Sequence, residues 1–485
     1  MNKHFTAKSF TFFTINFIVG LGFISTITTV LKLGYWGYLV IALSLLTVLG
    51  TSLVFSRLSN KYSDHYGGSY AFARNIDDDI ANNTYSMEYN SKQNTSTRTK
   101  KSFLRNFIFF IGWNQFIQSP ILSSISPLLL SSVIEGILGE NVPNKLAILW
   151  IIRTLSVVIF ALLIIISTLG LKLSTKVIFA TSIVKWSILA IGIVLIMTQI
   201  SLDGYSQSLE ATKNISAKTI FSSTLLFIFA FAGIEDMAAM TKDVHFKNFR
   251  TILLTAIGAI FVFYMGVYTV MLGLEQSGAI NNKFYHYYSL ALGTFGLVLF
   301  IIGFISNDIG YKITQTVSTA RKLVPLAEDN LIHEMFSEHN SKQEYKKAII
   351  FVAIFTLISM ISLSLYVLLA QKPGEENYFD AVINMSCVAL LVEDIFTFIV
   401  AFVLQKKKKI EKIPFWEQVI YFLSIIWAGF LVLTFFVPNI LGESISASEI
   451  FTIIGYFVFI LIGFGIRYYS YRHKKYLLKK QIKIS

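Results

Sequence analysis

The chain has 485 residues, of which 54% are hydrophobic, 15% aromatic and only 14% charged, against about 25% charged in an average soluble domain. A mean hydropathy of +0.63 points the same way, so a length that would suit about three soluble domains is read as one membrane unit, and an ordinary soluble enzyme is excluded. The single cysteine, Cys387, excludes an intramolecular disulfide framework and a Cys-rich metal or redox site. The net charge of +13 raises the question of nucleic acid, which the placement of the basic residues answers.

A membrane helix needs about 20 predominantly apolar residues. Twelve stretches meet that length, at 9–31, 34–56, 106–134, 147–169, 175–200, 218–240, 251–273, 288–320, 348–370, 380–404, 415–437 and 447–469. The first is too long for a signal-peptide core and no small-residue cleavage pattern follows it, so it is expected to be a retained span. If the N-terminus is cytoplasmic, the inside segments 1–8, 57–105, 170–176, 241–250, 321–347, 405–414 and 467–485 hold 32 of the 41 Lys and Arg. The outside loops hold six, and Arg153, Lys185 and Lys312 fall within spans. The positive-inside rule then places both termini in the cytoplasm. This distribution explains the net charge without nucleic acid: the Lys406–Lys409 run and the tail from Arg467 to Lys483 read as topology anchors facing anionic lipid. Residues 76–102 are rich in Asn, Ser, Thr and charge and are expected to form a disordered or weakly ordered polar cytoplasmic insertion.

Backbone that leaves the helix within the hydrocarbon is tolerated only where it lines a cavity or is packed in protein. Gly interruptions at matching places in two halves of a transporter therefore point to a substrate site. The first span carries Val19-Gly20-Leu21-Gly22-Phe23, and the sixth carries Phe229-Ala230-Phe231-Ala232-Gly233-Ile234-Glu235-Asp236. Spans one and six would be equivalent in a five-plus-five inverted repeat. Two readings stay open: Gly-x-Gly also serves helix packing, and the acids could end span six at the cytoplasmic surface. A carboxylate pair inside a span is otherwise a functional feature. Two facing breaks make a receptor for a zwitterion, because free amides at a half-helix N-terminus suit a carboxylate and free carbonyls suit an ammonium.

Further motifs follow in order. Gly20-Leu21-Gly22-Phe23-Ile24 is similar to a Gly-Ser-Gly-Ile-Phe motif, Tyr66-Gly67-Gly68-Ser69-Tyr70-Ala71-Phe72-Ala73-Arg74 to a Gly-Gly-x-Tyr-x-Tyr stretch, and Phe229–Glu235 to Phe-x-Gly-aromatic-Glu. Lys242-Asp243-Val244 with Arg250, and Ala320-Arg321-Lys322 through Ala327–Ile332, complete the series over residues 10–350. Together they resemble the amino acid–polyamine–organocation superfamily of permeases. The resemblance implies an all-α membrane protein of the leucine-transporter-like fold. It would have twelve transmembrane helices, a five-plus-five inverted repeat with discontinuous helices 1 and 6, and two C-terminal helices. The transport core would be residues 1–404, with helices 11 and 12 and a basic cytoplasmic tail in 405–485. Substrate would lie at the two breaks, its carboxylate at the amides of Leu21, Gly22 and Phe23 beside Gly20. Its amine would lie at carbonyls near Ile18, Phe229, Ala230 and Ala232, ahead of Gly233 and Glu235. Phe229 falls where the family carries an aromatic gate, and Leu21 replaces the usual serine.

Lys185 lies about ten residues into span five, where an ammonium needs a partner or loses its proton. By resemblance it takes the place of the sodium of sodium-coupled relatives, which implies proton coupling or exchange; a purely structural tie to helix-one carbonyls is the other reading. Asp308 and Lys312 stand at i,i+4 and are expected to pair. Glu393 and Asp394, near the middle of span ten, suggest with Glu235 and Asp236 a cavity favouring a cationic side chain, unless Glu393 pairs with Lys312. Arg153, near the outer end of span four, reads as a snorkelling residue. All seven histidines lie in loops or tails, and no Walker, Gly-x-Ser-x-Gly or His-x-x-x-His pattern is present, so neither an enzyme, a self-contained ATP-driven pump, a metal nor a cofactor is expected. The expectation is a secondary active amino acid transporter of the cell membrane, proton-coupled or exchanging. A basic amino acid or polyamine antiporter and a non-transporting amino acid sensor are the alternatives. Its partners are an amino acid, which a cationic side chain would suit, protons and the lipid bilayer.

Overall fold

The computed structural model describes residues 5–82, 95–135, 144–167, 171–274, 284–340, 345–370, 377–441 and 445–482. Among these residues, apart from one two-residue strand pair, the regular structure is helical. Lipid offers no hydrogen-bond partners, so an apolar run must satisfy its backbone internally and becomes helix.

The first apolar stretch is two helices rather than one. α1 (Ala7–Ile18) starts at a reciprocal cap in which Thr6 Oγ1 accepts from Ser9 N at 3.3 Å and Ser9 Oγ accepts from Thr6 N at 3.0 Å. α2 (Leu21–Leu31) follows after a bend of 50°. α3 (Trp36–Lys61), α4 (Ser69–Ala73) and α5 (Asp78–Ala81) come next. α6 (Thr95–Leu122) stops at Ser123-Ser124, and α7 (Ile125–Glu135) resumes. α8 (Lys145–Ser167), α9 (Leu171–Met197) and the short α10 (Leu202–Ala211) lead to α11 (Ala217–Ile228) and α12 (Ile234–Ala239). α13 (Phe249–Met271), α14 (Phe284–Glu328), α15 (Lys346–Ala370), α16 (Asn377–Lys406), α17 (Phe415–Phe436) and α18 (Ala447–Ile482) complete the chain.

Among the described residues nine helical stretches are long and apolar enough to cross a membrane, and the bent pair α1–α2 makes a tenth. The other two apolar stretches of the sequence coincide with α6–α7 and α8. α14 is longer than its apolar stretch at both ends and turns sharply at Gly293, whose φ of 59° is open to glycine and strained for other residues. α14 packs along α9 and also meets α6 and α8, while α3 lies against α11 and α13. β1 (Phe5–Thr6) pairs in parallel with β2 (Val244–His245), Phe5 opposite Val244, which ties the start of α1 to the segment after α12.

The polar segment 76–102 departs from expectation in part. Asp77–Ala81 is ordered because its acids are paired: Arg105 Nε donates to Asp77 at 3.0 Å, Arg105 Nη2 to Asp79 at 2.7 Å, and Lys409 pairs with Asp78. Residues 95–102 belong to α6, and 83–94 lie outside the described residues.

Candidate functional site

Both Gly-containing interruptions are breaks. At the first, α1 ends at Ile18 and α2 begins with Gly20 as its N-cap residue and no side-chain cap. The first turn of a helix leaves amides without intrahelical partners; here they are those of Leu21, Gly22 and Phe23, and the first ladder bond is Ile24 N to Gly20 O at 3.1 Å. At the second, α11 passes into a 3-10 turn at Phe229–Phe231, Ala232 is extended, and α12 starts after Gly233. The Gly233 φ of +125° is a conformation that side-chain-bearing residues rarely adopt, so a glycine sets the direction of the second half-helix. Its N–H donates to Glu235 Oε2 at 3.3 Å.

The two breaks touch. A Cβ placed on Gly22 would stand 2.4 Å from the carbonyl oxygen of Phe229 and 3.0 Å from Ala230 Cα, so only a glycine lets the backbones meet. Phe23 stacks on Tyr264, with ring centroids 4.5 Å apart, and Tyr264 donates its hydroxyl to the Ala230 carbonyl at 2.6 Å. Phe229 itself is buried.

Lys185 reaches the first break from α9. Its Nζ donates to the carbonyls of Asn16 at 2.5 Å and Val19 at 2.6 Å. These are groups at the C-terminal end of α1, where the macrodipole is negative. Trp186 donates to Asn16 Oδ1 at 3.1 Å. Asn307 of α14 completes this side, its Oδ1 lying 2.5 Å from where a Gly20 Cβ would be. Two small cavities flank the break, and Lys185 and Asn307 line both.

The acids sit elsewhere. Asp236 pairs with Lys322 of α14 at 3.0 Å and accepts from Ser318 at 2.7 Å. Glu393 accepts from Ser69, and from Gln118 at 2.6 Å, and Asp394 from Thr51 at 2.8 Å. Glu235 is close enough to interact electrostatically with Glu393, Asp236 and Lys322. All four carboxylates are buried, so span six does not deliver its acids to a surface. None lines either cavity. Asp308 and Lys312 interact electrostatically, as expected, without a direct ion pair, and each has a hydrogen-bond partner besides: Asp308 accepts from Ser126 at 2.6 Å and Lys312 donates to the Ser123 carbonyl at 3.2 Å. The α6–α7 break supplies both partners, which a same-helix argument cannot anticipate. For the same reason Glu393 faces Lys322 rather than Lys312. Arg153 lies on α8.

The sequence reading missed Asn16, Tyr264, Asn307 and Lys322. Asn307 is detectable as an amide in an otherwise apolar run beside Asp308; Lys322 falls just beyond the apolar stretch 288–320, whereas α14 continues to Glu328.

A family model described as amino acid permease matches residues 5–459. An uncharacterized protein of Mycoplasma genitalium, MG225, is 30% identical over 98% of this chain and 97% of its own length. A second from that organism, MG226, is 29% identical over 96% and 95%. The MG226 homolog of Mycoplasma pneumoniae, also uncharacterized, is 28% identical over 98% and 97%.

Proposed function

Since the chain belongs to the amino acid permease family, and is therefore a multi-pass membrane protein and a transporter by family, we propose that it is a secondary active amino acid transporter of the cell membrane working by alternating access. In this reading the twelve apolar stretches are twelve crossings, α1–α9 and α11–α16 hold the two inverted repeats, and both termini are cytoplasmic. The observation that carries it is the contact between two broken helices, in which the start of α2, without a side-chain cap, meets the turn at Phe229–Ala232 at Gly22. That pairing matches the two ends of an amino acid main chain. The substrate carboxylate would meet Leu21, Gly22 and Phe23, and the ammonium the carbonyls of Ile18, Phe229 and Ala232. The touching breaks would separate to admit it.

The four buried acids engage protein groups and stand away from the cavities, which favours neutral amino acids over cationic ones. The Lys185 Nζ donates to the carbonyls of the first break that a sodium ion would otherwise use, which favours proton coupling or exchange. Thermal unfolding of the purified protein against the twenty amino acids and several polyamines tests the substrate class, because a ligand of the folded state raises its stability by mass action. Shifts with neutral amino acids are expected; shifts confined to arginine, lysine, ornithine or polyamines would instead assign the acids to substrate selection.

A further inference from the structure

We propose that the ends of α3, α13 and α17 form a headgroup site for an anionic diacyl phospholipid, its phosphate on Arg57 and Arg250 and its chains along α17. Arg57 lies one turn before the end of α3, Arg250 is the second residue of α13 and Glu417 the third of α17. Three apolar helices therefore meet one membrane surface at this point. It is the same end of the bundle as the Lys406–Lys409 run, which joins α16 to α17.

The charges here do not balance. Glu417 takes four donors: Arg57 Nε at 2.8 Å and Nη2 at 2.9 Å, Arg250 Nη2 at 2.8 Å and the Tyr421 hydroxyl at 3.1 Å. A carboxylate offers about four acceptor positions, so this one is saturated, and two guanidiniums share a single negative charge. Glu417 is sealed inside, whereas the side chains of Arg57 and Arg250 are 19% and 27% exposed. Each guanidinium carries five N–H donors. Among the described residues neither Nη1 group has a protein acceptor, and Arg250 Nε reaches only Ser56 Oγ, at 3.5 Å. Exposed Lys61 and Lys247 add positive charge at the same helix ends, while Glu411 and Lys412 offset each other. Free donors on paired guanidiniums match the oxygens of a phosphate.

A second observation makes the phosphate that of a lipid. Beside the guanidiniums stand Phe415, 81% exposed, and Trp416, 51% exposed, with the Trp416 ring 6.0 Å from the Arg250 guanidinium carbon. Exposed aromatic rings at a helix end belong at the headgroup level of a bilayer. From there Val419, Phe422, Leu423 and Ile426 are exposed along α17, and their i, i+3, i+4, i+7 spacing puts them on one stripe. That stripe runs from the guanidiniums toward the hydrocarbon and suits an acyl chain, which a free phosphate lacks. Basic pockets between membrane helices take anionic headgroups in this way.

The site requires a bilayer and does not rest on the transport reading. Thermal unfolding of the full-length protein in neutral detergent is followed at constant ionic strength while phosphatidylglycerol, phosphatidylcholine with the same chains, glycerol 3-phosphate or inorganic phosphate is added. A saturable rise in Tm with phosphatidylglycerol is expected, exceeding that with the other three, because a ligand of the folded state stabilises it by mass action. Arg250→Gln leaves the two-point Arg57–Glu417 pair in place and is expected to weaken the phosphatidylglycerol response about tenfold, the loss of one hydrogen bond to a charged group. An equal response to phosphatidylcholine, a response to phosphate as strong as that to the lipid, or an unchanged response in Arg250→Gln overturns the proposal. If that variant does not fold, quenching of tryptophan fluorescence by brominated lipids decides. Stronger quenching by brominated phosphatidylglycerol than by brominated phosphatidylcholine, with the difference lost in Trp416→Phe, supports the site; equal quenching by the two lipids, or a difference that persists in Trp416→Phe, overturns it.

Discussion

The two helix breaks reach the same end by different means. The first has its carbonyl end capped from outside, by the ammonium of Lys185 on α9, while its new amide end carries no side-chain cap. The second is capped from both sides: Gly233 turns the chain and its N–H meets the carboxylate of Glu235, while Tyr264 of α13 covers the Ala230 carbonyl. A break that borrows its cap from a neighbouring helix is bound to that neighbour's position. A break capped in part by its own residues keeps more of its form as the helix moves. The first is therefore the element whose state depends on α9 and α14, and under the proposed function the second is the firmer platform for substrate.

The largest effect is expected at the contact between them. Gly22→Leu drives a side chain into the Phe229 carbonyl and should abolish substrate binding with membrane insertion intact, as read by ligand-induced thermal shift. Normal affinity in that variant would remove the first break from the site. Lys185→Met leaves two carbonyls at the end of α1 without their donor and should destabilise the protein by about 2–4 kcal/mol, seen as a lower Tm, with Lys185→Arg recovering part of it. Equal loss in both variants would mean that packing, not the cap, holds α1.

At the second break the effects should be smaller. Gly233→Ala forces a side chain into a conformation that costs of order 1–3 kcal/mol, with Phe17 2.8 Å from the new Cβ. Its Tm should fall less than that of Lys185→Met, and an equal or larger fall would reverse the ranking of the breaks. Tyr264→Phe removes one hydrogen bond and should cost about 1 kcal/mol while the stacking on Phe23 persists, so substrate affinity should change little.

Much of this arrangement is legible in the chain itself. Apolar run lengths locate the helices because lipid leaves no other option, the glycine at 22 marks where backbone approaches backbone, and the glycine at 233 marks the turn with positive φ. Lys185 stands out because an ammonium in an apolar run demands a partner. The partners are another matter. Asn16, Asn307 and Tyr264 are ordinary residues of their own helices, and only the crossing of α1, α13 and α14 gives them roles. The acids show the opposite failure: Glu235, Asp236, Glu393 and Asp394 are conspicuous as sequence, yet Lys322, Ser318, Ser69, Gln118 and Thr51, all remote in the chain, decide which way most of them face. Burial of a charge can be foreseen from one stretch; its compensation requires the whole fold.

The central claim, that two facing breaks form the substrate site of an amino acid transporter, is tested most directly by uptake of a labelled amino acid mixture into proteoliposomes. The native protein should give saturable uptake, accelerated by unlabelled amino acid inside if it exchanges, and Gly22→Leu should give none. Equal uptake by the two proteins, or binding by the native protein without any uptake, would contradict the account.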